Sequence, residues 1–226
     1  MADRCLLYYI TDRSQFRGDE RARRRALLAK VVEAARARVD YIQLREKDLS
    51  TRELEMLARD ALTAVRGSTP LRTENRELRT RLLINSRTDV ALAAGADGVH
   101  LRADDLSPRE VRSVVQLSAH RPPTTDPFLV AASCHAAADV FRVKSEKADF
   151  AVFAPVFGKR GTAGTPPAGL AALREACRAK ISVLALGGVT MENAASCLEA
   201  GAAGIAAIRL FQENKIEDVV RALRAL

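Results

Sequence analysis

The chain has no tryptophan, only 4% aromatic residues and three histidines. Its apolar mass is left to Ala, Leu and Val, which suits helices packed on parallel strands. The four cysteines, Cys5, Cys134, Cys177 and Cys197, are widely spaced and form no C-x-x-C pair. That pattern argues against a zinc site and points to reduced, mostly buried thiols in a cytoplasmic protein. No run of about 18 apolar residues occurs, so no membrane span is expected. Met1-Ala2-Asp3-Arg4-Cys5 leads straight into an apolar run, leaving no room for a signal peptide.

What is present is enough for a large core. With 226 residues, 48% of them hydrophobic, the chain suits one large α/β domain or two small ones. The formal net charge is +8, and the densest basic cluster is Arg21-Ala22-Arg23-Arg24-Arg25. It precedes Leu27, Leu28, Val31 and Val32 at helical spacing, so it reads as the solvated face of a first helix. No aromatic residues interleave with these arginines and no recognition motif accompanies them, so no nucleic-acid partner is expected. The basic balance suits small phosphorylated ligands. Self-association into a homo-oligomer stays open.

Short β-like runs recur along the whole length: Leu6–Ile10, Tyr41–Leu44, Leu82–Ile84, Gly98–Leu101, Phe128–Ala131, Phe150–Phe153, Ile181–Leu186 and Gly204–Ile208. Helical patterns lie between them, among others Thr51–Val65, Asp89–Ala94, Pro108–Leu117, Gly169–Ala179, Met191–Ala200 and Ile216–Leu223. Strand-helix alternation argues for a parallel sheet. Eight repeats in this length fit a single-domain (β/α)8 TIM barrel spanning 1–226, with a doubly wound open sheet as the alternative. The near-repeat of Ala93–Val99 in Glu199–Ile205 supports the barrel, each copy being a helix end, a glycine cap and a buried strand. Ser68–Arg81 and Arg121–Pro127 read as inserted loops.

In parallel α/β folds ligands bind at the C-terminal ends of strands. There the sequence puts Thr11-Asp12, Gln43, Arg45 with Lys47 and Asp48, Asn85-Ser86-Arg87, His100 to Asp105, and Ser133-Cys134-His135. Pro155 to Thr165, Gly187-Gly188 and Arg209 complete the rim. Arg45 and Lys47 together can hold a di-anion or a pyrophosphate. The bare amides of Gly187 and Gly188 let an anion approach closely, with Thr190 set to cap a helix beginning near Met191. The Gly158–Thr165 loop reads as a lid that could fold over an anion. His135 is placed for proton transfer near neutral pH. His100 reads as structural, and His120 as surface.

These motifs resemble those of the thiamine phosphate synthase family and its close sister, the thiazole tautomerases. The resemblance is carried by Tyr9–Arg13, Gln43–Asp48, Leu83–Ala91, Ala93–Leu101, Ser133–His135, Gly164–Leu170 and Leu186–Thr190. It implies an enzyme that joins an aminopyrimidine-methyl pyrophosphate to a thiazole phosphate, releasing pyrophosphate. By that resemblance Gln43, Arg45, Lys47, Asn85 and Ser133 would hold the pyrimidine pyrophosphate. Thr162, Gly187, Gly188, Ile208 and Arg209 would hold the thiazole phosphate. His135 and Lys159 would be catalytic, and Ser86 with Asp105 would bind Mg2+. The chain departs from the pattern at Ser86, where the family has an Mg2+-binding Asp, and at Arg102-Ala103, where it has Gly-Gln. It departs again at Gly158–Thr162, in place of Thr-x-Thr-Lys, and at Arg209, in place of Ser. A metal-free tautomerase using His135, with Arg102 or Arg209 on a carboxylate, and a non-catalytic phosphate-binding barrel are the alternative readings.

Overall fold

The structure is a computed structural model that describes residues 4–68, 79–118, 126–158 and 166–226. Eight parallel strands close into a barrel in sequence order: β1 Leu6–Ile10, β2 Tyr41–Leu44, β3 Arg81–Asn85, β4 Gly98–Leu101, β5 Leu129–Cys134, β6 Phe150–Phe153, β7 Ser182–Ala185 and β8 Gly204–Ala207. Closure is made by β1 on β8, with Tyr8 opposite Ala206. The helices α1 Glu20–Arg36, α2 Thr51–Ser68, α3 Thr88–Ala94, α4 Pro108–Leu117, α5 Ala137–Ser145, α6 Gly169–Cys177 and α7 Ala194–Glu199 connect successive strands. The short α8 Arg209–Gln212 and the final α9 Ile216–Leu223 follow β8. No helix among the described residues is long and apolar enough to cross a membrane.

Several expected boundaries shift by a few residues, and two of the shifts bear on the site. The fifth strand runs on through Ser133 and Cys134, because these pair with Val152 and Phe153 of β6. Ser133 is therefore a strand residue whose side chain alternates into the barrel. The seventh helix begins at Ala194, not near Met191, because Asn193 accepts the Thr190 N–H at 2.8 Å and closes a turn first. Thr190 is thus not a helix cap. The cysteines are free, with Cys134 and Cys197 buried and Cys5 and Cys177 only partly covered. Burial pushes the Cys134 thiol up to about 12.

Side chains alternate along each strand, so the strands serve two cores. Leu7, Tyr9, Ile42, Leu44, Leu82 and Ile84 point outward into the layer beneath the helices. Tyr8, Ile10, Leu83, Leu129, Ala131, Phe150, Val152, Leu184 and Ala206 fill the barrel itself. Three of the ten aromatics meet here. Tyr41 stacks on Phe150 at 4.7 Å between ring centroids, and Tyr8 meets Tyr41 at 5.9 Å and Phe150 at 5.5 Å, both edge-on. Small residues make the room. A Cβ on Gly204 would lie 2.0 Å from the Leu6 carbonyl oxygen, and one on Gly98 would lie 2.3 Å from that of Leu129.

A repeated device closes the N-terminal face. The aspartate just before an even-numbered strand accepts a backbone N–H from the preceding strand: Asp40 from Leu7 at 2.8 Å, Asp97 from Leu82 at 2.9 Å, Asp149 from Val130 at 2.6 Å. Each carboxylate also holds arginine: Asp40 takes Arg4 and Arg224, Asp97 takes Arg79, and Asp149 takes Arg112. The corresponding residue before β8 is Ala203, so the near-repeat seen in the sequence loses its polar anchor in its second copy. Replacing Asp40 with Ala leaves the Leu7 N–H without its acceptor and removes the carboxylate that Arg4 and Arg224 share. Such a loss costs about 1–3 kcal/mol. A urea melt of Asp40→Ala should show a lower midpoint with an unchanged slope, and an unchanged midpoint would contradict this role.

Candidate active site

The C-terminal end of the barrel gathers the polar residues, beginning with a clamp between the loops after β1 and β2. The Thr11 hydroxyl donates to Glu46 Oε1 at 2.6 Å and accepts the Arg45 N–H at 3.0 Å. Glu46 also takes the Arg13 N–H at 3.0 Å and Arg13 Nη1 at 3.1 Å. The Arg13 guanidinium forks onto Asp48 with bonds of 2.7 and 2.8 Å, and its Nε reaches Glu20 at 2.9 Å. Arg13 and Glu46 side chains are only 6% and 2% exposed. Burial pushes the Glu46 carboxyl up, opposed by its bonds to Thr11 and Arg13, while the Asp48 carboxyl is held down by Arg13. Three carboxylates are thereby consumed by one arginine. The flanking cations, half-buried Arg45 and exposed Lys47, form no ion pair within the described residues.

Next to them runs a polar chain across β2, β3 and β4. Gln43 Nε2 donates to Asn85 Oδ1 at 2.9 Å, and Asn85 Nδ2 lies 3.4 Å from Ser86 Oγ. The Ser86 hydroxyl donates to Asp105 Oδ2 at 2.7 Å, an atom that also accepts the Arg102 N–H at 2.7 Å. Ser86 holds a left-handed backbone, φ 62°, and is fixed there by its N–H on the His100 carbonyl at 2.8 Å. Arg102 is largely exposed and folds back on Asp104 and Asp105.

His100 and Ser133 join on the barrel floor, with His100 Nε2 2.8 Å from Ser133 Oγ and Nδ1 3.2 Å from the Tyr8 hydroxyl. His135 is exposed at the rim, its Nδ1–H donating to the Ala154 carbonyl oxygen at 2.7 Å and its Nε2 without a hydrogen-bond partner among the described residues. On the far side, Val156 and Phe157 donate to the carbonyls of Leu186 and Gly187, drawing the loop after β6 onto the end of β7. Gly187 and Gly188 have φ of 95° and 64°, and a Cβ would strike Pro155 at 2.7 Å and the Gly158 carbonyl at 2.8 Å. Only glycine fits both the backbone and the space. Ile208 follows β8 as the cap of α8, but the Arg209 guanidinium is 73% exposed and lies 3.8 Å from Glu213.

Gln43, Arg45, Lys47, Asn85, Ser86, Asp105, Ser133, His135, Gly187, Gly188 and Ile208 thus share one end of the barrel. Lys159 and Thr162, like Arg160 and His120, lie outside the described residues. The sequence reading missed Arg13, Glu46 and Tyr8. A charged pair separated by 33 positions leaves no local signature. A tyrosine in an apolar run reads only as core.

A model of the thiamine monophosphate synthase family matches residues 7–211. A thiamine-phosphate synthase from Methanoculleus marisnigri is 39% identical over 223 residues, spanning 96% of this chain and 93% of that protein. One from Syntrophomonas wolfei is 36% identical over 225 residues, spanning 97% and 95%. The solved structure of a thiamine phosphate pyrophosphorylase from Pyrococcus furiosus superposes with a TM-score of 0.75 at 25% identity, covering 99% of this chain and 95% of that one.

His100 gives the site a pH signature. Burial first, and then the charge of Arg45, lower its pKa from 6.5 to about 3. Between those values the unfolded chain binds more protons than the folded one, so stability rises with pH there and is lost as pH falls from 6.5 toward 3. The slope reaches at most about 1.4 kcal/mol per pH unit. Urea midpoints at several pH values across that window should fall less steeply for His100→Gln than for the unmodified protein. Identical slopes would show that His100 protonates freely in the fold.

Proposed function

The chain belongs to the thiamine monophosphate synthase family, and on that premise we propose how its own residues make thiamine phosphate. The reaction joins the pyrimidine-methyl pyrophosphate to the thiazole phosphate. The C–O bond to pyrophosphate breaks, the thiazole nitrogen forms the new C–N bond, and pyrophosphate leaves. The protein is a transferase acting on small phosphorylated substrates. The observation that carries the assignment of residues is the clamp on Arg13. It ties up Glu46 and Asp48 and leaves Arg45 and Lys47 without an ion-pair partner among the described residues.

Charge grows on the pyrophosphate as the C–O bond breaks, and preorganised cations stabilise that change most where water is excluded. Arg45 and Lys47 would bind this group, with the Gln43–Asn85 pair and Ser133 orienting the pyrimidine pyrophosphate beside them. Gly187, Gly188 and the Ile208–Arg209 backbone would take the thiazole phosphate.

Mg2+ is commonly held by one or two carboxylates together with substrate phosphates. Asp105 supplies one carboxylate, and Ser86 sets a neutral hydroxyl beside it at 2.7 Å. Among the described residues no three His, Cys, Asp or Glu side chains gather to hold a metal unaided. Asp105 and Ser86 are the residues that would hold the ion, and when bound it would supply positive charge against the leaving pyrophosphate.

A second reading rests on His135. Its free Nε2 at the rim could move a proton on a thiazole carboxylate phosphate, without metal. One experiment separates the two. Purified protein given both precursors and Mg2+ should yield thiamine phosphate by mass detection. Arg45→Ala should raise the KM for the pyrimidine pyrophosphate roughly tenfold, as expected for losing a charged hydrogen-bond partner. The KM for the thiazole phosphate should hardly move. No thiamine phosphate, with thiazole isomerisation instead, would favour the second reading. Equal KM changes would refute the assignment of Arg45.

A further inference from the structure

The floor of the barrel carries a hydrogen-bond chain whose direction can be deduced. Tyr8 is fully buried, ringed by Tyr41, Phe150 and His100 and by the apolar barrel core. Its hydroxyl has His100 Nδ1 as its one partner among the described residues, at 3.2 Å. Burial keeps the phenol protonated. A hydroxyl has a single proton, and an unpaired buried donor costs about 1–3 kcal/mol. If Tyr8 merely accepted from Nδ1–H, its own proton would face hydrocarbon. The phenol therefore donates, and Nδ1 accepts.

The rest follows from the valence of imidazole. His100 is 2% exposed, and its ring nitrogens meet only the Tyr8 and Ser133 hydroxyls among the described residues, with no carboxylate to hold a second proton, so it carries one N–H. With Nδ1 accepting, that proton sits on Nε2. Nε2–H then donates to Ser133 Oγ at 2.8 Å. The Ser133 oxygen receives this bond, and its own proton has no acceptor among the described residues. Ser133 is half-buried at the C-terminal end of β5, on the mouth side of His100.

We infer that Tyr8 and His100 are positioning residues that lock the Ser133 hydroxyl as a hydrogen-bond donor toward an anionic oxygen of the pyrimidine pyrophosphate. The opposite tautomer would turn the Ser133 proton back onto Nε2 and present only lone pairs to the mouth. Those lone pairs would repel an anion gathered by Arg45 and Lys47. The locked direction instead adds a neutral donor to the two cations. The identity of the substrate rests on the function proposed above; the direction of the chain does not.

The test is nitrogen NMR on the full-length protein labelled with 15N-histidine, with His100 assigned by its loss in His100→Gln. The expected pattern is the Nε2–H tautomer. A parallel calorimetric titration uses inorganic pyrophosphate as the probe. Tyr8→Phe, once a thermal melt shows that it folds, should free the tautomer and weaken pyrophosphate binding roughly three- to tenfold. Ser133→Ala should weaken binding similarly, and Tyr8→Phe with Ser133→Ala should be no weaker than Ser133→Ala alone, because the chain acts only through that hydroxyl. An Nδ1–H tautomer in the unmodified protein, or additive losses in the double variant, would overturn the proposal. If pyrophosphate binding follows this pattern while no thiamine phosphate forms, the positioning chain stands and the proposed function does not.

Discussion

The mouth of this barrel depends on one buried ion pair, Arg13 with Glu46. A buried pair is costly unless its remaining hydrogen-bonding capacity is met. Here it is: Glu46 accepts from Thr11, the Arg13 backbone and the Arg13 guanidinium, while the guanidinium goes on to Asp48 and Glu20. The clamp ties the loops after β1 and β2 into one unit. Glu46 is buried against Arg13, whereas Arg45 beside it is half-buried and Lys47 exposed. The loop that carries four charges in sequence, Arg45-Glu46-Lys47-Asp48, is nearly neutral on paper. In the fold its acids are spent on Arg13, and its bases are not.

The two ends of the barrel divide the work, as this architecture permits. At the N-terminal face, Asp40, Asp97 and Asp149 close strand pairs and are neutralised by arginines, so their charges are structural. At the C-terminal face, polar groups are left with capacity unused among the described residues: Arg45, Lys47, the Ser133 proton and His135 Nε2. Between them lies the aromatic plug of Tyr8, Tyr41 and Phe150, and Tyr8 belongs to both. Its ring fills the core and its hydroxyl begins the chain that reaches the mouth.

Much of this was legible in the sequence. The strands announced themselves as short apolar runs at regular spacing, and the glycines before β4 and β8, Gly95 and Gly201, read as helix caps and hold the left-handed backbone of that role. The cluster Gln43 to Lys47 followed from its place at a strand end. What was not legible depended on contacts between distant segments. Nothing near Arg13 says that it pairs with Glu46 rather than facing solvent. Tyr8 sits in an apolar run whose alternation hides which face its hydroxyl meets. The late start of α7 turned on Asn193, whose side chain accepts the Thr190 N–H and donates to the Gly188 carbonyl ahead of the helix. Ser133 was placed after its strand because its polarity suggested a loop, whereas pairing with Val152 extends β5 through it.

The central claim is that sequestering Glu46 and Asp48 on Arg13 is what makes the mouth a pyrophosphate site. The most direct test is calorimetric titration of inorganic pyrophosphate into Arg13→Met beside the unmodified protein, at one ionic strength and with folding checked by thermal melting. Freed carboxylates beside Arg45 and Lys47 should weaken binding by roughly tenfold or more, the order expected for one added charge near a surface site. Undiminished affinity in a folded Arg13→Met protein would show that the clamp only holds the loops together.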